Sequence, residues 1–225
     1  METILDILGM CIVFMRYFMQ EQYSLNHPIV EQSFKIIDEE IGQHNLSFLE
    51  YQIARRVIHS TADFEFLNLL IFSPKAIDNG INSLSSRTPI ISDVTMVKQG
   101  IINLVSKTFH NPIITAIEKA PHALPGKTRT ETGLLECYQQ YPQGIYVIGN
   151  APTALVALCQ QIQEKKLKPS LIIGVPVGFV SVLESKKMLA EIDVPQILVD
   201  GRKGGSSVAA AIINALLILA WESNT

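Results

Sequence analysis

The hydrophobic and polar positions in the last third of the chain, residues 146–221, follow one pattern that occurs three times. Each copy begins with a short β-branched stretch without polar alternation, breaks at Gly, Asn or Asp, and then resumes with helical spacing. Strands without alternation are those covered on both faces, so the pattern predicts parallel strands with helices on either side. The three copies are Tyr146–Leu158, Leu171–Leu189 and Gln196–Leu217.

The turns inside these copies are the parts that we expect to contact a ligand. The carboxyl ends of parallel strands meet at one edge of a sheet, and ligands of open α/β sheets bind in the crevice beyond that edge. Three turns should therefore form one wall of a site: Gly149–Pro152, Gly174–Gly178 and Asp200–Gly205.

The chain before residue 146 predicts helices with two short buried strands. One helix begins at Pro28 and ends near Gly42, and Ser47 with Glu50 predicts a capping box for the next, which ends near His59. The other predicted elements are helices at Lys75–Leu84, Thr95–Ile102 and Glu131–Tyr141, the last capped by Thr130, and strands at Pro89–Asp93 and Pro112–Ala116. The predicted fold is α/β, a mostly parallel sheet flanked by helices in a Rossmann-like three-layer arrangement, with a helical N-terminal front end.

We assign residues 1–24 to an N-terminal extension and residues 25–225 to a single α/β domain. The extension is apolar, but Asp6 and Arg16 interrupt it. It lacks the basic start of a signal peptide and the roughly 20 uninterrupted apolar residues of a membrane span. Two interpretations stay open: an accessory helix or a start codon placed too early, and a helix that binds a membrane surface or a partner.

Composition and charge narrow the class of protein. The 225 residues are 48% hydrophobic and 17% charged, which is enough to bury a substantial core. A net charge of −3 gives no general attraction for nucleic acid. Cys11, Cys137 and Cys159 lie far apart, which is typical of reduced thiols and predicts a cytoplasmic protein. No spacing of His, Cys, Asp and Glu predicts a metal site.

Cations and glycines coincide at the turn Asp200–Gly205. Arg202 and Lys203 lie among glycines that let the backbone approach a ligand, which favours an anion or carboxylate site. A structural turn with solvated charges is the alternative. Arg129, within Lys127–Thr130, carries a guanidinium suited to a carboxylate. The sequence has neither a P-loop nor the dinucleotide fingerprint, which argues against a nucleotide ligand.

His59 is the candidate for proton transfer. It lies at a predicted helix end beside hydroxyl residues and Asp63, and the ordinary histidine pKa of about 6.5 allows proton exchange at neutral pH. Arg56 precedes it by one helical turn and so lies on roughly the same face. A histidine buried for structural reasons is the alternative that the residues alone leave open.

Seven short segments between about Leu25 and Trp221 together resemble the precorrin-8X methylmutase family. Each segment alone is a weak signal, but the combination, in order and at this spacing, is specific. Residues 1–24 have no counterpart in the family pattern. The segments are S-F-x-I-I-D-x-E at 33–40, R-R-V-I-H at 55–59, S-D-V-x-M-V at 92–97, K-T-R at 127–129, G-N-A-P-T-A-L at 149–155, P-V-G-F-V-x-x-x-E-S-K at 176–186 and D-G-R-K-G-G-S at 200–206.

The resemblance implies an isomerase of cobalamin biosynthesis that moves a methyl group from C11 to C12 of a corrin precursor. The substrate would be precorrin-8X, giving hydrogenobyrinate, or cobalt-precorrin-8, giving cobyrinate. The resemblance also implies a homodimer, no cofactor, and hand-over of the product to the next enzyme. It assigns proton transfer to His59 and substrate contacts to Ser33, Arg56, Arg129, Asn150, Lys186 and Arg202. The alternatives are a non-catalytic tetrapyrrole-binding carrier protein and an enzyme that acts on a nucleotide.

Overall fold

The computed structural model describes residues 25–224, and a six-stranded sheet lies at its centre. The expectations for the N-terminal extension and for Cys11 therefore fall outside the described residues. The strands, in chain order, are β1 (Leu70–Phe72), β2 (Ile90–Ser92), β3 (Ile113–Thr115), β4 (Ile145–Ile148), β5 (Leu171–Gly174) and β6 (Gln196–Val199).

Five of these strands are parallel, and their order across the sheet is β6-β5-β4-β2-β3. β1 extends the sheet beside β6 in the antiparallel direction, with Ile71 opposite Leu198. The predicted mostly parallel sheet is confirmed. The reversed edge strand β1 is not predicted from the sequence; it follows directly after a helix, Phe66–Leu69, within one apolar stretch.

Helices connect the strands and cover both faces of the sheet. The predicted helical front end is confirmed by the first two of them, which precede every strand. The helices are α1 (Pro28–Ile41), α2 (Phe48–Thr61), α3 (Phe66–Leu69), α4 (Ala76–Ser85), α5 (Thr95–Lys107), α6 (Ala116–Lys119), α7 (Arg129–Gln140), α8 (Pro152–Gln163), α9 (Val182–Ala190) and α10 (Ser206–Asn224).

The first residues of α2 and α7 show whether the predicted helix caps are correct. The capping box before α2 is confirmed, since Ser47 Oγ accepts from the Glu50 backbone N–H and the Glu50 carboxylate accepts from the Ser47 N–H. The predicted cap of α7 is wrong. Thr128, not Thr130, accepts from the Glu131 backbone N–H, at 3.1 Å, and the helix begins at Arg129. The structure thereby places Arg129 in the first turn of a helix.

Alternate residues of each inner strand face opposite layers, which gives the predicted three-layer arrangement. Ile145 and Val147 of β4 face a core built with α1, α2, α4, α5 and α10. Tyr146 and Ile148 face a second core built with α7, α8 and α9. Because both faces are buried, the strands carry apolar residues at consecutive positions, which is the pattern seen in the sequence.

Helix α10 is the main support of the first layer. It is long and apolar enough to cross a membrane, with a mean hydropathy of 1.5 over its most apolar window, but 72% of that window is buried inside the fold. It packs against α2, α4 and α5. We conclude that α10 is a core helix, whose hydrophobic surface is covered by neighbouring helices and by the sheet.

Candidate active site

The three glycine-containing turns meet at the carboxyl edge of the sheet, as predicted. The N–H of Gly178, after β5, donates to the carbonyl of Arg202, after β6, at 3.3 Å. The N–H of Gly205 donates to the carbonyl of Val175 at 2.8 Å. At Gly204, where φ is +149°, a Cβ would lie 2.3 Å from the Val175 oxygen, so only glycine allows this approach of the two turns.

Asp93, at the tip of β2, holds the third turn in place. Its Oδ2 accepts from the backbone N–H groups of Asn150 at 2.6 Å and Ala151 at 2.8 Å, and its Oδ1 accepts from the N–H of Val94. The side chain is fully buried. Burial raises the pKa of the Asp93 carboxyl, and the hydrogen bonds from backbone N–H groups oppose that shift. The sequence offers a signal for this role, since the aspartate directly follows a buried strand.

His59 lies in the last turn of α2, and the structure pairs it with Ser33 of α1. Ser33 Oγ and His59 Nδ1 are 2.9 Å apart, within hydrogen-bond distance. The ring of Phe34 meets the imidazole edge-on, with 5.5 Å between ring centroids. These contacts fix the orientation of the imidazole, and they bring together two residues that are 26 positions apart in the chain.

Two effects make the His59 imidazole less basic than an ordinary histidine. Burial lowers its pKa, and the positive charge of Arg56 lowers it further. His59 is therefore mainly neutral at pH 7, so that it has both an N–H donor and a lone pair available.

Arg56 itself is largely enclosed between α1, α2 and α10. Its guanidinium donates to Asn26 Oδ1 and lies 5.4 Å from the centre of the Phe34 ring. Glu31 and Glu222 line the same cavity of about 150 Å³ and partly compensate its charge. The predicted contact between Arg56 and a substrate stays a prediction, and the structure already surrounds this guanidinium with partners.

The two cations of the turn after β6 are in different environments. Lys203 Nζ lies 2.6 Å from Asp63 Oδ2 and 3.0 Å from Glu65 Oε1, so its charge is neutralised by the segment that follows α2. The expectation that both cations serve an anion is corrected in this respect. Arg202 is exposed and stays available. The ion pair also ties the end of the His59 helix to the Asp200–Gly205 turn.

Lys186 of α9 lies behind this turn. Its side chain is buried, and Nζ donates to the carbonyls of Gly201 at 2.8 Å and Lys203 at 2.7 Å. Burial lowers the pKa of its ammonium to about 8. The predicted substrate contact of Lys186 stays untested, but its ammonium already has two backbone acceptors, and we interpret it as a support of the turn.

Arg129 lies at the opposite end of the same edge, near β3. Its Nε donates to the carbonyl of Ala120 at 3.1 Å and its Nη2 to that of Ile117 at 3.2 Å, which leaves other N–H groups of the exposed guanidinium available. The side chain of Asn150, between these ends, is exposed as well. The turns after β6 and β3 are four strand spacings apart, about 19 Å.

The predicted site residues therefore do not form one tight cluster. Ser33, Arg56 and His59 lie on α1 and α2, whereas the turns or helix starts that carry Arg202, Asn150 and Arg129 follow different strands of the sheet. Within residues 25–224, no group of three or more His, Cys, Asp or Glu side chains is arranged to hold a metal ion. A positioned histidine, exposed arginines and glycine turns beyond parallel strands are the arrangement expected of an α/β enzyme that binds an anionic small molecule.

Comparison with known proteins identifies this enzyme. The precorrin-8X methylmutase family model matches residues 28–219. Cobalt-precorrin-8 methylmutase of Synechocystis sp. is 59% identical over 212 residues, covering 88% of this chain and 98% of the relative. Cobalt-precorrin-8 methylmutase of Leptospira interrogans is 39% identical, with 89% and 97% covered. The crystal structure of precorrin-8X methylmutase from Thermus thermophilus superposes with a TM-score of 0.81 at 36% identity, covering 88% of this chain and all of that one.

The chain belongs to the precorrin-8X methylmutase family and is an isomerase, a methylmutase of cobalamin biosynthesis.

Proposed function

We propose that the protein converts cobalt-precorrin-8 into cobyrinate by moving one methyl group from C11 to C12 of the ring. The C11–CH₃ bond breaks and the C12–CH₃ bond forms, and the proton that His59 delivers to the ring system is returned, so that no atom is gained or lost. The observation that carries this proposal is the hydrogen-bond distance between Ser33 of α1 and His59 at the end of α2, in a chain of this family.

The geometry supports a proton-transfer role for His59. Ser33 holds the imidazole through Nδ1, which leaves Nε2 to exchange a proton with the substrate. Because the pKa of His59 is lowered, its protonated imidazole is a stronger acid than an ordinary imidazolium, so a proton taken up by the ring nitrogen passes readily to the substrate. The chemistry needs little more than one positioned proton and a pocket that holds the ring in its reactive shape.

The substrate is a flat apolar ring that carries carboxylates around its rim. Arg129 and Arg202, at the two ends of the carboxyl edge, are suited to bind carboxylates at opposite sides of such a ring. Asn150 lies between them. Ser33 and Arg56, beside His59, and Lys186, which acts through the turn that it supports, complete the proposed substrate-binding set. We choose the cobalt-containing substrate because relatives at 59% and 39% identity are named for it.

The setting of the reaction is part of the proposal. We propose a homodimer in the cytoplasm that binds no nucleic acid and hands its product to the next enzyme. The free, buried thiols of Cys137 and Cys159 support a reducing compartment. A carrier protein that binds the ring without converting it is the second candidate, and the same experiment separates the two.

The test is turnover of purified protein with cobalt-precorrin-8 and, separately, with precorrin-8X, followed by visible absorption. We expect conversion, with the cobalt form preferred. His59→Asn should lower kcat about 10²- to 10⁴-fold while the ring still binds, because general acid–base catalysis has this magnitude. The matched control is His110→Asn, an exposed histidine with φ of +58° near the opposite edge of the sheet, where asparagine is well tolerated.

Three results would contradict parts of this proposal. Binding without conversion by the wild-type protein would support the carrier. A His59→Asn variant with near wild-type kcat would remove the assigned role of His59. Equal or better turnover of precorrin-8X would overturn the choice of the cobalt form.

A further inference from the structure

The two most exposed large hydrophobic side chains within residues 25–224 are adjacent. Phe179 is 88% exposed and Val180 is 82% exposed. They lie in the connection between β5 and α9, directly beyond the carboxyl end of a central strand. An aromatic and a β-branched side chain held out into water together are costly to leave uncovered, which marks a contact surface.

The backbone holds this pair in a fixed place. Gly178, the residue before Phe179, donates its N–H to the Arg202 carbonyl, and Ser181, the residue after Val180, has φ of +58°. Behind them, Lys186 Nζ joins α9 to the Gly201 and Lys203 carbonyls. The pair is thus positioned relative to the turn that carries Arg202.

A third exposed apolar side chain lies on the same edge. Met96 is 70% exposed in the first turn of α5, beyond the carboxyl end of β2. β2 is two strand spacings from β5, about 10 Å. Along the edge, the order is Arg202, then Phe179 and Val180, then Asn150, then Met96, then Arg129.

This order has apolar side chains on both sides of Asn150 and a cation at each end. A corrinoid has the complementary chemistry, because its faces are apolar and its carboxylates lie on the rim. Aromatic rings stack on flat conjugated ligands, and methionine adapts to an irregular face. Single exposed hydrophobic residues are ordinary, whereas these three follow central strands of one edge, between the elements that carry two arginines.

We propose that Phe179, Val180 and Met96 form an apolar platform that contacts one face of the corrinoid ring and positions it between Arg202 and Arg129. This inference rests on the proposed function, since it takes the corrinoid as the ligand. It assigns specificity for a macrocycle to three side chains outside the predicted substrate-binding set.

The test measures binding of cobyrinate, the proposed product, by visible-absorption titration. Phe179→Ser and Met96→Ser should each raise the dissociation constant about tenfold or more, because each removes apolar surface that the ring covers. The loss should be the same at low and high salt, whereas Arg202→Gln should weaken binding mainly at low salt. Phe48→Ser is the matched control: Phe48 is 72% exposed but begins α2, eleven residues before His59, and should leave binding unchanged.

Sedimentation of the same variants without ligand separates the platform from a protein interface. Unchanged dissociation constants in both Phe179→Ser and Met96→Ser would overturn the proposal. A change of oligomeric state with unaltered ring affinity would overturn it too, and would assign these side chains to a contact between copies of the chain. If the wild-type protein binds neither cobyrinate nor cobalt-precorrin-8, the proposed function itself is wrong. The titration of the wild-type protein shows this before any variant is measured, so this failure is distinguishable from failure of the platform proposal.

Discussion

At the scale of single residues, the sequence and the structure contribute different information about His59. The R-R-V-I-H segment singles out the histidine, and the capping box at Ser47 and Glu50 sets the start of the helix that carries it. The hydrogen bond to Ser33 joins residues on different helices and depends on how α1 packs against α2. No local pattern encodes that distance, and the resemblance assigns Ser33 a substrate contact, so the pairing of Ser33 with the imidazole comes from the fold alone.

A charge change beside His59 should move its titration. The pKa of His59 lies below the ordinary value because of burial and because of Arg56. Arg56→Gln removes the second cause, so the pKa should rise toward, but not beyond, the ordinary value of about 6.5. The measurement is an NMR pH titration of the His59 imidazole. Lys107→Gln, an exposed charge change at the end of α5, should leave it unmoved.

The lowered pKa of His59 also determines how the stability of the protein changes with pH. A folded-state pKa below the unfolded one means that the unfolded chain binds the proton more readily as pH falls through about 6.5. The contribution of His59 to the free energy of unfolding should therefore decrease toward acidic pH. An imidazole that titrates at its ordinary value in the wild-type protein would contradict both statements.

At the scale of elements, the helix caps and the turns show where the sequence prediction and the structure agree and where they differ. The Ser47–Glu50 box is predicted and found, while α7 begins two residues earlier than predicted because Thr128, three residues before Glu131, forms a second box. The spacing of Thr128 and Glu131 is itself a sequence signal for a capping box, whereas Gly133 lies three residues after Thr130, so the sequence already favours Thr128. The support of the β6–α10 turn by Lys186, by contrast, is a contact between elements that periodicity does not predict.

Removing the Lys186 ammonium should change how stability depends on pH. Burial lowers the pKa of Lys186 to about 8, from an ordinary value of 10.5. As pH rises above about 8, the folded protein loses this proton while the unfolded chain keeps it up to 10.5, so the free energy of unfolding gains a contribution. Relative to Lys186→Met, the wild-type protein should therefore become more stable across this window.

Urea denaturation at several pH values measures that difference. The matched control is Lys187→Met, which replaces the exposed neighbouring lysine. The difference in the free energy of unfolding between this variant and the wild-type protein should not change across the same pH range. A wild-type curve that runs parallel to the Lys186→Met curve from pH 8 to 10.5 would show that Lys186 has its ordinary pKa.

At the scale of the whole molecule, Asp93 joins three parts of the fold. Its backbone N–H donates to Val147 of β4, its carbonyl accepts from Ile117 of α6, and its carboxylate binds the Asn150–Ala151 turn. These contacts fix the relation of β2 to its two neighbours at the ligand edge. The sequence places Asp93 at a strand tip, but the sheet order that brings β4 beside β2 is a tertiary property.

Asp93→Asn should destabilise the protein by about 2–3 kcal/mol, because the amide cannot accept every backbone N–H that the carboxylate satisfies. Equilibrium urea unfolding measures the loss. Asp193→Asn, an exposed aspartate, should change the free energy of unfolding little. If both variants unfold at the same urea concentration, the Asp93 carboxylate is not the support that its hydrogen bonds indicate.

The sequence by itself determined the parallel strands, the glycine turns beyond them, the helical front end, the main helix cap and the segment with His59. These features depend on periodicity and on short-range backbone chemistry, which act over a few neighbouring residues. The tertiary structure alone decided the reversed edge strand β1, the strand order, the pairing of Lys203 with Asp63 and Glu65, and the position of Phe179 and Val180 beside Arg202. Those features depend on which elements become neighbours in space, and packing of the whole chain is needed to set them.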